Sequence, residues 1–216
     1  MLLSLKNNIQ TNCMRKIFVT GIGTDVGKTV VSAILTEALQ ADYWKPVQTG
    51  TYYGTDADKI KKYISNTKSF IHPESYCLKH YMSPHAASEM EGIAIDMSQI
   101  NLPNTTNTII IEGAGGIMVP LNHKEMVLDM IEKFNAEVLV VVQNYLGSIN
   151  HTLMTLDVLK NRKIKVIGTV FNGPPHKLSE DIICELSGTK IIARVGKENL
   201  ISKEVISRYA EQFSGI

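Results

Sequence analysis

The residues best suited to chemistry lie in the glycine-rich stretch 21–29, Gly-Ile-Gly-Thr-Asp-Val-Gly-Lys-Thr. It follows the apolar run 16–20 and opens the helix-like run 30–39. Glycines let backbone N–H groups approach phosphate oxygens, and a helix N-terminus faces an anion with the positive end of its dipole. Lys28 can reach the β- and γ-phosphates, and Thr29 can offer its hydroxyl to Mg²⁺. The stretch predicts a loop that binds a nucleoside triphosphate.

The glycine spacing differs from that of the usual phosphate loop. Five residues separate Gly21 from Gly27, one more than in the usual motif, whose first glycine would fall at Ile22. The alternative is a glycine turn in an ordinary βα unit. The flanking strand and helix favour the phosphate loop.

Apolar runs alternate with helical patterns along the chain. Runs such as 137–142 are apolar without alternation, which is typical of parallel strands buried on both faces. The pattern predicts a doubly wound α/β fold, with a mostly parallel sheet and helices on both faces. The predicted strands are 16–20, 43–47, 107–112, 137–143, 164–171 and 189–195. The predicted helices are 28–40, 56–65, 124–134, 148–161, 177–187 and 201–213. Segment 66–106 is expected to hold loops and short helices.

Composition narrows the class of protein. The 216 residues are 44% apolar and 20% charged, which fits a globular protein with a core. A formal charge of +1 gives no reason to expect nucleic acid or an acidic membrane as a partner. Three scattered cysteines suit the reducing cytoplasm, and no run is long enough to span a membrane. Residues 1–13 are expected to be a disordered extension or an effect of start-site choice, with 14–216 as a single domain.

Two charged residues stand at predicted strand ends, where ligands bind in such sheets. Lys45 could place a second cation over the transferring phosphate, or could reach solvent from a strand edge. Glu112 precedes the glycine turn 113–116 and could hold Mg²⁺ beside Thr29, because a buried carboxylate needs a partner. The alternative is a surface glutamate at a tight turn.

Other polar positions leave alternatives open. One of Asp56 and Asp58 is expected to stabilise a helix N-terminus, and the other could be a second metal ligand. The segment 146–151 begins a helix and is a second potential anion site, unless Ser148 is simply its N-cap. Asn172 could read a purine edge, or make a turn with Gly173.

Taken in order, these motifs resemble those of the ATP-dependent dethiobiotin synthetases, the ring-closing enzymes of biotin synthesis. The shared motifs are 23–29, Trp44-Lys-Pro-Val47, Thr49-Gly50, Asp56-Ala57, Ser83-Pro-His85, Glu112-Gly-Ala-Gly-Gly116, Leu146-Gly147 with Ile149-Asn-His151, and Asn172. The phosphate loop alone is common to many nucleotide hydrolases, but the ordered combination is specific.

The resemblance implies roles for individual residues. Lys28 and Lys45 would be catalytic, and Thr29, Asp56 and Glu112 would hold Mg²⁺. Thr49, Leu146, Gly147 and Asn150 would bind substrate, with the helix start at 146–150 receiving its carboxylate. The nucleotide would contact Thr24, Asp25, Val26, Gly27, Lys28, Thr29, Val30, Asp56, Glu112, Gly113, Ala114, Gly115, Asn172, Val195, Gly196 and Lys197, with Asn172 reading adenine.

The resemblance also implies a reaction and an assembly. ATP, CO₂ or bicarbonate, and 7,8-diaminononanoate would yield dethiobiotin through a carbamate and a carbamic–phosphoric anhydride. The substrate site would lie at a homodimer interface, and neither nucleic acid nor a membrane would be a partner.

Some positions depart from the family pattern. Asp25 and Thr49 stand where glutamate and serine are common, and 194–198 lacks the proline of the family's base-contacting segment. A partitioning or cell-division ATPase of the same fold is the alternative. Such proteins usually carry an early second lysine in the phosphate loop, which is absent between Gly21 and Lys28.

Overall fold

The computed structural model describes residues 14–213 and 215–216, so the expectation for 1–13 lies outside the described residues. Within them, six parallel strands form the central sheet. In spatial order these are β2 (Asp42–Trp44), β5 (Ile109–Glu112), β1 (Lys16–Gly21), β6 (Glu137–Gln143), β7 (Val166–Asn172) and β8 (Ile191–Val195). A smaller parallel pair joins β3 (Val47–Gln48) to β4 (Tyr76–Cys77).

The helices cover both faces of the central sheet. They are α1 (Lys28–Leu39), α2 (Asp56–Tyr63), α3 (Pro84–Met90), α4 (Val127–Phe134), α5 (Ser148–Asn161), α6 (Lys177–Ser187) and α7 (Lys203–Ala210), with 3₁₀ turns at Thr51–Tyr53, Met97–Gln99 and Glu211–Phe213. In β6, Val138 and Val140 point into a core covered by α4, α5 and α6. Leu139 and Val141 point into the opposite core, under α1, α2 and α7. The predicted doubly wound fold is confirmed.

The prediction of one strand over 43–47 is wrong. The chain leaves the central sheet after Trp44, and Val47 pairs with Tyr76 in the smaller sheet. Pro46 lies at the crossover, where it has no N–H to give to a ladder, and its carbonyl accepts from the N–H of Ser75 and of Tyr76. Lys45 is therefore held between two sheets.

Other predicted boundaries differ by a few residues. The helix expected at 124–134 begins at Val127, and the one expected at 201–213 begins at Lys203 and tightens to a 3₁₀ turn after Ala210. Helix ends are the parts that patterns place least well, because capping and fraying act on single residues. No helix of the described residues is long and apolar enough to cross a membrane.

The outer edge of β2 is covered by the segment 70–72. The Tyr43 N–H donates to the Phe70 carbonyl at 2.9 Å, and the His72 N–H donates to the Tyr43 carbonyl at 2.8 Å. A covered edge leaves no free row of backbone groups on which another chain could pair. It also fixes the strand from which Lys45 departs.

Asp42 anchors that cover from the start of β2. Its buried carboxylate accepts hydrogen bonds from the Phe70 N–H at 3.0 Å, the Thr105 hydroxyl at 2.7 Å and the Asn107 amide at 3.2 Å. The His72 ring lies 3.1 Å away. Burial pushes the pKa of Asp42 up, but these hydrogen bonds outweigh burial and hold the pKa below its ordinary value.

We predict that Asp42→Asn lowers the free energy of unfolding by about 1–3 kcal/mol near neutral pH, because the amide cannot accept all of these bonds. A depressed carboxyl pKa stabilises the fold above the unfolded-state pKa, and this stabilisation is lost as the pH falls through the lower folded-state pKa. The gap between wild type and variant should therefore narrow in urea titrations as the pH falls below the ordinary carboxyl pKa.

The matched control is Asp157→Asn, an exposed carboxylate of α5 that accepts only from the Asn161 side chain among the hydrogen bonds found. It should change stability by less than ~0.5 kcal/mol at any pH. A pH-independent gap for Asp42→Asn would contradict the assignment.

Candidate active site

The loop 22–27 joins β1 to α1 and is held from both sides. Ile22 donates its N–H to the Val141 carbonyl of β6 at 3.2 Å, and the Asn172 amide donates to the Val26 carbonyl at 2.9 Å. Gly27 caps α1 with a φ of 95°. This left-handed backbone favours glycine, and a Cβ there would overlap the Asn172 amide nitrogen. The loop conformation is therefore fixed by β6 and β7.

Lys28 begins α1 and is buried beneath this loop. Its ammonium donates to the Gly23 carbonyl at 2.9 Å, so the side chain curls back along the loop. Burial lowers the pKa of Lys28, Lys45 lowers it further, and the charge of Glu112 opposes the shift. An anion bound in the loop would favour the charged ammonium.

Four polar side chains converge beside the loop, and we call them the Lys45 cluster: Thr29, Lys45, Asp56 and Glu112. The Lys45 ammonium contacts an Asp56 oxygen and lies 3.1 Å from Glu112 Oε1. The Thr29 hydroxyl donates to the same Glu112 oxygen at 2.8 Å. Lys45 is 6% exposed and Glu112 1% exposed. The alternatives of a solvent-reaching lysine and a surface glutamate are wrong.

Attraction between opposite charges keeps the side chains of the cluster ionised. Burial acts to lower the pKa of Lys45, but Glu112 and Asp56 together raise it above its ordinary value. Burial likewise acts to raise the pKa of Asp56, yet Lys45 and then Lys59 bring it down to about 2. In this geometry the lysine can bind and neutralise an anionic substrate, and the two carboxylates can hold the metal that accompanies it.

The two aspartates of the sequence motif take different roles. Asp58 forms a capping box with Thr55 at the start of α2, and its side chain is half exposed. Asp56 is buried, and its N–H donates to Gln48 Oε1 at 3.0 Å. Asp58 is therefore the residue that stabilises the helix N-terminus, and Asp56 is the one that faces Lys45.

The cluster has a donor set suited to Mg²⁺. The hydroxyl of Thr29 and the carboxylates of Asp56 and Glu112 are hard oxygen donors, and Mg²⁺ is usually bound by one or two carboxylates together with phosphates and water. No group of three or more His, Cys, Asp or Glu side chains suited to a metal occurs among the described residues. An ion that arrives with a nucleotide fits this site better than one held in a cage of protein ligands.

Glycines bring a second turn against the phosphate loop. The turn 113–116 follows β5, where the Gly113 N–H donates to the Val19 carbonyl at 3.0 Å. Gly115 has a φ of 70°, and a Cβ on Gly116 would lie 3.2 Å from the Gly21 carbonyl oxygen. Gly113, Ala114 and Gly115, which sequence motifs associate with the nucleotide, thus lie beside the loop.

The remaining predicted site residues also lie at or beyond strand ends. Gly147, with a φ of 103°, caps α5, so the N-cap alternative for Ser148 is wrong. Leu146 is fully exposed and Asn150 is exposed beside it. The Asn172 amide donates to the Val26 carbonyl of the phosphate loop, and its backbone ends β7 before Gly173. Thr49 follows β3. Val195 ends β8 and is followed by Gly196 and Lys197, where the Gly196 N–H donates to the Tyr209 hydroxyl at 2.9 Å.

Sequence reasoning missed three side chains of the site. The Tyr43 hydroxyl donates to Glu112 at 2.9 Å. The Gln48 side chain accepts from the Asp56 N–H of α2 and donates to the Thr49 carbonyl. The Tyr81 hydroxyl lies 3.2 Å from both Asp25 oxygens. Tyr43 precedes Lys45 by two positions, and side chains two apart in an extended segment point to the same side. That spacing could have placed Tyr43 on the side of Lys45. Tyr81 carries no comparable signal, because it lies in an irregular loop.

Comparison with known proteins identifies the family of this chain. Residues 15–205 match the AAA domain family AAA_26. The chain is 54% identical over 198 residues to the ATP-dependent dethiobiotin synthetase BioD of Cytophaga hutchinsonii, covering 91% of this chain and 96% of that protein. The corresponding enzyme of Christiangramia forsetii is 47% identical over 199 residues, with 92% and 96% covered.

The chain belongs to the dethiobiotin synthetase family. It is therefore an ATP-dependent ligase, as the motifs had indicated. A ParA family ATPase from Chlorobium tepidum superposes with a TM-score of 0.56, covering 94% of this chain and 96% of that chain. At 14% identity it shares the fold alone, so the partitioning-ATPase alternative has no support beyond the fold.

For this synthetase, we predict that Gly27→Ala lowers the free energy of unfolding by on the order of 1–3 kcal/mol, because alanine must adopt a left-handed backbone and displace Asn172. Binding of a non-hydrolysable ATP analogue should weaken in parallel. Urea unfolding and calorimetry provide the two measurements.

Gly23→Ala is the matched control, because a Cβ at Gly23 meets no atom within 4 Å. It should cost less than ~1 kcal/mol of stability. Equal losses for the two variants would show that Gly27 has no special conformational role.

Proposed function

We propose that this ligase closes the ureido ring of dethiobiotin from 7,8-diaminononanoate, CO₂ and ATP. One observation carries the proposal: Lys45 is buried between Asp56 and Glu112, beside Thr29 of the phosphate loop. A nucleotide in that loop would bring its transferring phosphoryl group to a site rich in fixed charge. The sequence relatives named as dethiobiotin synthetases support the choice of substrate.

The proposed reaction has three steps. One amine of the diamine adds to CO₂ and loses a proton, which gives a carbamate. A carbamate oxygen then attacks the γ-phosphorus of ATP, and the bond to ADP breaks. The second amine attacks the carbonyl carbon of the resulting carbamic–phosphoric anhydride, loses its proton and expels phosphate, which closes the ring.

The residues act mainly by position and charge. Lys28 and Lys45 would hold and neutralise the transferring phosphoryl group, and preorganised cations can supply much of the catalysis in phosphoryl transfer. Thr29, Asp56 and Glu112 would hold Mg²⁺, which supplies charge neutralisation to the phosphates when it is bound. No histidine is required as a general base in this scheme.

We infer that the carboxylate of the diamine binds at the start of α5, and that Thr49 also contacts the diamine. Helix N-termini favour anions, and Gly147 leaves the first turn of α5 open to one. The exposed apolar side chains of Tyr145 and Leu146, just before α5, and of Met154 within it support a homodimer that covers them. Leu146, Gly147 and Asn150 would then line a substrate site at the interface.

We propose that the adenine lies between Asn172 and the segment Val195–Lys197, at the ends of β7 and β8. The Asn172 side chain already contacts the phosphate loop, so it could join base and phosphate binding. The Val195 carbonyl accepts from the Gly173 N–H, and the Gly196 N–H donates to the Tyr209 hydroxyl, which fixes the backbone of this segment.

We predict that Lys45→Ala and Lys28→Ala each lower turnover by at least ~100-fold, because each removes a cation that would face the transferring phosphate. Circular dichroism should show that both variants are folded. Lys62→Ala, which removes an exposed lysine from α2, is the control and should keep wild-type turnover. Near-normal ring closure by Lys45→Ala would remove Lys45 from the mechanism.

The decisive experiment measures phosphate release from ATP with Mg²⁺ and bicarbonate, with and without 7,8-diaminononanoate, and dethiobiotin by mass. The expected result is release that depends on the diamine, with dethiobiotin and phosphate in equal amounts. ATP hydrolysis indifferent to the diamine would overturn the proposal and favour a switch ATPase.

A further inference from the structure

Tyr43 is a fully buried side chain that the proposed mechanism does not use. Its hydroxyl donates to Glu112 Oε2 at 2.9 Å, inside the protein. The other oxygen, Oε1, accepts from the Thr29 hydroxyl and the Lys45 ammonium. The two oxygens of one carboxylate therefore have separate partners, and Tyr43 alone holds Oε2 among the hydrogen bonds found.

The sheet register brings Tyr43 and Glu112 together. In the parallel pair of β2 and β5, Tyr43 is opposite Ile110, so Glu112 is two residues further along the same face. Successive side chains of a strand alternate between faces, and both residues thus point toward α1 and α2. The Tyr43 N–H and carbonyl are both bonded to the edge cover, at Phe70 and His72, while β2 itself is paired to β5. The ring is therefore held in place at its base.

The environment keeps this hydroxyl a donor. The phenol has one proton, and its oxygen lies 2.9 Å from a carboxylate oxygen that has none to give, so the phenol is the donor. A tyrosine that stays protonated next to a buried carboxylate can only donate to it. Torsion of a carboxylate about its terminal bond is otherwise broad, so a bond to one oxygen fixes the plane of the carboxylate and the direction of the other oxygen toward Thr29.

We propose that Tyr43 is a positioning residue, which orients Glu112 so that Oε1 faces Thr29 and Lys45, ready for the Mg²⁺ that accompanies ATP. The inference rests on the metal site in the proposed function, but not on the identity of the carbon substrate. Outer partners that orient metal-binding carboxylates typically affect metal affinity by about 10–100-fold. Tyr43 therefore acts on metal affinity through Glu112, without touching substrate.

The test is Tyr43→Phe, which removes only the hydroxyl and preserves the ring. Calorimetry measures binding of a non-hydrolysable ATP analogue over a series of Mg²⁺ concentrations, with no turnover required. We expect the Mg²⁺ affinity of the protein–nucleotide complex to fall by about 10-fold. Analogue binding in EDTA should change by less than ~2-fold, because the phosphate loop keeps its contacts.

Tyr76→Phe is the matched control. It also removes one tyrosine hydroxyl, here bonded to the backbone of Asp96 rather than to any residue of the Lys45 cluster. Its Mg²⁺ titration should equal that of wild type. If Tyr43→Phe also leaves the titration unchanged, or changes only thermal stability, Tyr43 is a structural residue and the proposal is overturned.

A double-mutant cycle with Glu112→Gln tests the route of action. If Tyr43 works through Glu112, its loss should have little further effect once the carboxylate is gone. An undiminished additional loss in the Glu112→Gln background would overturn the proposal. Tyr43→Met, which fills the ring space with a flexible apolar chain, provides the same readout if the phenylalanine variant does not fold.

The outcome is separable from that of the proposed function. Phosphate release indifferent to the diamine would overturn the proposed substrate, while a Mg²⁺ titration shifted by Tyr43→Phe would still support the role of Tyr43. Normal ring closure together with an unshifted Mg²⁺ titration would support the proposed substrate and overturn the role of Tyr43.

Discussion

Lys45 pairs with two carboxylates that the fold buries where β2 and β5 end, and Lys59 gives Asp56 a second positive partner. An isolated buried carboxylate is costly, and removal of one partner from a buried ion pair leaves an uncompensated charge. Asp56 belongs to α2, Glu112 to β5, and Lys45 to the crossover between the two sheets, so their pairing joins three separate parts of the chain. The Thr29 hydroxyl adds α1 to the same set of contacts. The site thus depends on charge balance inside the protein.

The phosphate loop depends on a different constraint, which is backbone conformation. Gly27 has a left-handed φ, and the neighbouring Asn172 amide occupies the space that a side chain would take. Asn172 ends β7, so the loop that follows β1 takes its shape partly from a strand two places away in the sheet. Anion binding here uses backbone groups whose positions the sheet determines.

Much of this arrangement could be predicted from sequence, and the remainder could not, for identifiable reasons. Apolar runs showed the strands, and a glycine-rich stretch between a strand and a helix showed the phosphate loop, because both patterns are local. The break at Lys45-Pro46 was missed because the apolar pattern continues into Val47, although Pro46 lacks the N–H that a sheet ladder needs. Tyr43 was missed because its partner is 69 positions away in the chain. The separate roles of Asp56 and Asp58 needed the packing of α2 against Lys45.

The order of strands in the central sheet has a consequence for how this protein folds. β1 is flanked by β5 and β6, whose residues come from 109–112 and 137–143, so its pairing requires closure of long loops. Contacts of such high contact order form slowly, after local helices. Thr29 and Glu112 meet only when β1 and β5 have paired, and Asn172 reaches Val26 only when β7 has joined. A nucleotide held by these residues would bind the folded chain and not the unfolded one, and so would stabilise the fold by mass action.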